Sequence, residues 1–173
     1  AVPLRSYMDE RGSHGMLTLS VNPFVPKPFT PFQWMPMAGK KRLDGIMKKI
    51  TQELRRHKKI VVHFESPKEA LVQAILARGD RRLSEPLIHA AAGRGAKDLA
   101  DGMRAEGLLP DDYLIRGWGE EELFPWEQLD MGFSKDYLRQ EYERAAARKA
   151  TPPCFDGCVR CGVCTAKKER TDV

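Results

Sequence analysis

Four cysteines fall within eleven residues, as Cys154-x3-Cys158-x2-Cys161-x2-Cys164, and no cysteine precedes them. Thiolate sulfur suits borderline and soft metals. Four thiolates complete a tetrahedral zinc site or hold the four irons of a [4Fe-4S] cluster. Gly157 and Gly162 lie among them, where tight turns would let closely spaced sulfurs converge. A secreted scaffold would spread its cysteines to staple distant segments, so this clustering points to metal ligands in a reducing, cytoplasmic setting. Zinc is the first choice, because a lone C-terminal site has no evident electron partner. A [4Fe-4S] cluster is the alternative, and four free thiols in a frayed tail the third reading. Between Thr151 and Thr165 the other apolar residues are Pro152, Pro153, Phe155, Val159 and Val163. That is too little to fold unaided, so a metal is expected to order residues 151–166.

Two basic features could do other chemistry. Arg78-Gly79-Asp80-Arg81-Arg82 sets three guanidinium groups, Arg78, Arg81 and Arg82, around a helix break. The guanidinium fork matches phosphate or carboxylate, so an anion site is one reading. The other is that Asp80 and a nearby Glu pair with these arginines and knit two helices together. The segment 40–59 holds Lys40, Lys41, Arg42, Lys48, Lys49, Arg55, Arg56, Lys58 and Lys59 against Asp44 and Glu53. It would suit RNA, or serve as a solvated outer face, and it offers no aromatic ring for base stacking. His14, His57, His63 and His89 show no metal-ligand spacing, and the acidic runs Asp111-Asp112 and Glu120-Glu121-Glu122 read as solvated loops.

The elements that must position these groups follow from periodicity. The chain has 173 residues, 42% of them hydrophobic, and a formal net charge of +5, enough for a real core and a mild anionic preference. No apolar run approaches the ~20 residues of a membrane span, so no membrane partner is expected. Residues 1–15 are polar and turn-rich and are read as a flexible or loop segment. Residues 16–21 and 60–64 are strand candidates, expected to pair in parallel across a helix over 39–57 with Leu43, Ile46, Met47, Ile50 and Leu54 as its apolar stripe. Four prolines between Asn22 and Trp34 predict a rigid extended loop lying against a surface. Ser66-Pro67-Lys68-Glu69 is a helix start, and its helix carries Leu71, Ile75 and Leu76. Beyond residue 80 the pattern is helical: 83–92, 96–106, a short piece in 108–116, and 135–149 behind an N-cap at Ser134.

Several blocks then resemble one family. Residues 20–34, SVNPFVPKPFTPFQW, are similar to a segment late in the barrel of radical S-adenosylmethionine proteins that carry an N-terminal B12-binding-like domain. Arg78–Arg82, Leu123-Phe124-Pro125-Trp126 with Asp130 and Gly132, Ser134-Lys135 with Leu138 and Glu141, and the cysteine cluster follow in the same order. Cys154-x3-Cys158-x2-Cys161 reproduces the three-cysteine spacing of such enzymes, but Cys164 would close the open iron position and the motif follows a C-terminal helix, not a first barrel strand, so it is read as a closed structural site. The resemblance implies an α/β fold: the last strands and helices of a partial (β/α)6 barrel over 16–78, a mostly helical extension over 79–150, and the four-Cys tail over 151–166. It implies a non-catalytic C-terminal portion of an iron–sulfur enzyme of unknown substrate. Its partners would be upstream radical and B12-binding-like domains of the same protein. S-adenosylmethionine and a further [4Fe-4S] cluster would belong to the full-length protein, with Ser20 and Asn22 lining the cofactor site there. The absence of an initiating Met fits a piece of something longer.

Overall fold

The computed structural model describes residues 1–93, 96–119 and 121–164, so Glu120 and residues 165–166 of the expected metal segment lie outside the described residues. The chain forms two compact units. One combines Ala1–Val25 with Pro36–Arg116, and the other combines Pro26–Met35 with the described residues from Gly117 onward.

The first unit opens with helix α1 (Val2–Glu10), where a loop segment was expected. Proline in its first turn is compatible with helix, since the N–H there has no intrahelical partner. Arg5 is buried, and its guanidinium binds Asp9 one turn on as well as the carbonyls of Ser13 and Gly15. One side chain thus stitches the helix to the turn after it.

Strand β1 (Leu17–Val21) pairs in parallel with β2 (Ile60–Phe64), Leu17 opposite Ile60 and Ser20 opposite His63. Helix α2 (Lys40–Leu54) makes the crossover that a parallel pair requires. Helix α3 (Pro67–Arg78) starts as expected, with Ser66 Oγ accepting from Glu69 N–H at 3.5 Å. It buries Ala70, Ala74, Ile75 and Arg78, while Leu76 is exposed. A short 3-10 turn (Arg81–Leu83), α4 (Ser84–Ala92), α5 (Ala96–Ala105) and α6 (Pro110–Leu114) complete the unit. Its core joins Met37, Leu43, Ile75, Leu83, Leu99, Met103 and Leu114. Burying a Leu or Met fully stabilises by about 1.5–3 kcal/mol, and Leu99 and Met103 are nearly sealed from solvent. Gly102 lets α5 approach α4: a Cβ there would lie 3.1 Å from Pro86 Cα.

The expected α/β barrel is overturned. The described residues hold seven α-helices, one 3-10 turn and a single two-stranded parallel sheet, so 16–78 is no arc of a (β/α)6 barrel. The wall of such a barrel needs further parallel strands beside this pair, and here every described regular element after Phe64 is helical. The helical stretch expected over 79–150 is also divided: α4 to α6 belong to the first unit, and only α7 (Lys135–Ala146) to the second.

The second unit is built on aromatic packing. Trp34, Phe124, Trp126 and Leu138 are buried together, flanked by Phe29, Trp118, Phe133, Tyr137 and Tyr142. The second half of the proline-rich segment, residues 28–35, folds as successive turns where an extended loop was expected, with Gln33 N–H reaching Thr30 O at 3.1 Å and Met35 N–H reaching Phe32 O at 3.0 Å, while residues 22–27 form no regular element. Phe29 adopts φ +59°, a left-handed conformation unfavourable for a bulky residue, and its N–H is held by Gln33 Oε1 at 3.1 Å. The same oxygen accepts the indole N–H of Trp126 at 3.0 Å. Helix α7 begins at the expected cap, Ser134 Oγ accepting from Tyr137 N–H at 3.1 Å. No helix among the described residues is long and apolar enough to cross a membrane.

Candidate functional site

The cysteine segment follows α7 as a series of turns with almost no core of its own. Phe155 and Val159 are mostly exposed, as the composition of the segment implied. Gly157 at φ +80° and Gly162 at φ +88° make the tight turns read from the sequence. The segment is tied to α7 through its cap residue: Ser134 N–H donates to Cys161 O at 3.1 Å. All four thiols are free. Cys154 and Cys164 are exposed, Cys161 is half-buried and Cys158 is buried.

Arg160 organises this segment, a role the sequence reading missed. Its Nε donates to Cys158 Sγ at 3.3 Å, and one terminal nitrogen donates to the carbonyls of Pro152 and Pro153, each at 2.9 Å. The guanidinium hydrogen bond holds the Cys158 thiol below its usual range and so favours thiolate. An alternation of cysteines with a single arginine is the only sequence signal that could have marked it. The donor set suits zinc or an iron–sulfur cluster. Its arrangement here does not complete a site, because no three Cys, His, Asp or Glu residues among those described converge on one point.

The three arginines do not form one anion site. Arg78 is buried and turned inward, its guanidinium donating to Leu114 O at 3.5 Å and Arg116 O at 3.2 Å, at the C-terminal end of α6. Arg82 grips Asp80 through Nε and Nη2 at 2.7–3.1 Å. Asp80 also accepts Arg82 N–H, capping the 3-10 turn, and the Arg82 hydrogen bond holds its carboxyl below the usual range. Arg81 is exposed. Among the described residues Asp80 thus pairs with Arg82 alone, inside one turn and without joining two helices, and Arg78 is a structural clamp.

Ser20 and Asn22 are neighbours at the C-terminal end of β1, Ser20 Oγ reaching Asn22 Oδ1 at 3.5 Å, and both are exposed. Of the nine bases in 40–59, all but Lys59 are exposed. Lys40 pairs with Asp44, and Lys59 pairs with Asp9 at 2.9 Å. Leu43 is the buried residue of the α2 stripe, whereas Ile46 is exposed.

Comparison with known proteins adds one relative. Uncharacterized protein MJ0966 of Methanocaldococcus jannaschii is 34% identical over 100 residues, which covers 57% of this chain and 20% of that protein. The chain thus spans about a fifth of the length of the curated relative it matches. No protein-family model and no solved structure matches the chain.

Proposed function

We propose that this chain is a non-catalytic portion of a radical S-adenosylmethionine iron–sulfur protein, whose four-Cys tail is a structural zinc site. The resemblance of its sequence blocks supports the parent class. The observation that carries the metal reading is the tail itself: four thiols, two glycines at positive φ, and almost no buried apolar surface to order them. Zinc binding would draw Cys154, Cys161 and Cys164 toward Cys158, and binding of the metal then contributes folding energy to the segment. Thiols kept free for a metal require a reducing compartment, so the protein is assigned to the cytoplasm. Any S-adenosylmethionine, a further [4Fe-4S] cluster and contacts of Ser20 and Asn22 with them belong to the full-length protein.

Elemental analysis with a visible spectrum tests this reading. One zinc per colourless chain, lost in Cys158→Ser, is expected. A brown protein absorbing near 400 nm would keep the ligands and replace zinc by [4Fe-4S]. No stoichiometric metal of either kind would remove the metal site. The second reading, an RNA-binding module, rests on the exposed bases of α2. It predicts RNA affinity that falls steeply with salt, and a flat response would exclude it.

A further inference from the structure

The second unit contains a cavity of about 280 Å3, lined largely by residues of the resembling blocks, to which no reading above gives a function. Phe29, Gln33, Trp126, Asp130, Phe133 and Lys135 supply its chemistry. Its walls are aromatic and mutually braced. Trp126 stacks on Phe124 with centroids 4.7 Å apart at 11°, and Phe29 meets Phe133 edge to face at 6.4 Å. Such walls take a flat ring by stacking and edge contact.

The polar groups are few, and their sense is fixed. Gln33 is 4% exposed. Its Oε1 accepts two N–H groups, from Phe29 and Trp126, so that atom must be the oxygen and the amide cannot be reversed. What remains is an NH2 with two donors, and no acceptor binds it among the described residues. Acceptors come from Glu127, which already pairs with Lys135, and from Asp130, whose Oδ1 takes Gly132 N–H at 2.7 Å and leaves Oδ2. Exposed Leu129 and Met131 also line the cavity.

These groups select by elimination. An aliphatic ligand would leave the Gln33 donors unpaired in a buried wall, which is costly. A carboxylate would face Asp130, because Lys135 already pairs with Glu127, and an ammonium offers no acceptor to the Gln33 donors. A neutral flat ring with a carbonyl beside a ring N–H suits all of them. We infer that this cavity binds a planar oxo-substituted nitrogen heterocycle of the nucleobase type. The ring lies between the aromatic walls, its carbonyl accepts from the Gln33 amide, and its N–H donates to Asp130. The sugar of a nucleoside would extend out of the cavity. This inference is independent of the metal and of the parent class.

Tryptophan emission of the full chain, titrated with guanosine, tests it, because Trp34, Trp118 and Trp126 all belong to this unit. Saturable quenching is expected, with adenosine, which lacks the ring carbonyl, at least about tenfold weaker. Gln33→Glu keeps both accepted hydrogen bonds and replaces the donors, and should weaken guanosine at least about tenfold. Asp130→Asn keeps the Oδ1 acceptor on an exposed residue and reverses Oδ2. It should weaken guanosine likewise, and it decides the matter if Gln33→Glu fails to fold. Equal affinity for adenosine, no saturable quenching below about 10 mM, or an unchanged affinity in Asp130→Asn would overturn the inference.

Discussion

Leu83 occupies the space that a side chain on Gly79 would need: a Cβ on the glycine would stand 2.0 Å from Leu83 Cδ1. The same Cβ would lie 2.9 Å from the backbone carbonyl of Ile75, which cannot swing away. Gly79→Ala should therefore destabilise the chain by about 1–3 kcal/mol, as overpacking does. Gly45, inside α2, has nothing within 4 Å of its Cβ position. Gly45→Ala should stabilise by roughly 0.5–1 kcal/mol through helix propensity alone. Urea unfolding of the two variants measures both, and opposite signs are the expected result.

Arg78→Met keeps the bulk of the side chain and removes the donors that serve Leu114 O and Arg116 O. Two carbonyls would lose a charged partner, at a cost of about 2–4 kcal/mol. Arg78→Lys cannot reproduce the fork and should recover little. Arg82→Ala, which breaks an exposed pair with Asp80, should cost under about 1 kcal/mol. If Arg78 were an anion ligand, Arg78→Met would change phosphate affinity more than the unfolding midpoint.

Acid should weaken this fold through two carboxylates. The Lys59 and Arg5 side chains hold Asp9 below its usual range, and Arg82 does the same for Asp80. The unfolded pKa, about 3.9, then exceeds the folded one, so the unfolded chain takes up protons first as pH falls. The stability these groups contribute is complete above about pH 5 and is lost as pH drops through their folded values. Unfolding midpoints measured across this range should fall toward acid, and Asp9→Asn should flatten part of the slope.

If the tail holds zinc as proposed, its removal should act locally. Chelation, or Cys158→Ser, should open residues 151–164 to protease and leave most of the helical signal, which comes from α2 to α6. Collapse of that helical signal would mean that the cysteine segment supports the whole chain.

Local rules were legible where one residue type decides the geometry. Ser66 and Ser134 cap their helices as read, because a hydroxyl at the N-cap satisfies a free N–H regardless of the surroundings. The parallel pairing of residues 17–21 with 60–64 followed from the helix between them. Tertiary choices were hidden. In α3 the expected Ile75 is buried, but it is joined by Ala70, Ala74 and Arg78, while the expected Leu76 points to solvent: small residues and a clamp for later carbonyls take places that periodicity alone gives to large apolar side chains. The barrel expectation failed for a related reason: block resemblance carries no strand count. The four cysteines were plain in the sequence, but the Arg160 contact that biases Cys158 toward thiolate was not, because it depends on how the turn at Gly157 aims two side chains.

The division of the second unit between two distant stretches bears on the order of folding. Gln33 and Trp126, joined by a hydrogen bond, are 93 positions apart. Closing a free loop of that length costs about 4 kcal/mol of chain entropy plus a constant. Within the first unit, however, Met37 N–H donates to Leu114 O at 2.8 Å, so the outgoing and returning chain are held side by side once that unit forms. The aromatic cluster then nucleates across a gap of a few residues on each side, where Trp118 N–H meets Trp34 O at 3.1 Å. In refolding, the helical signal should rise before tryptophan emission does.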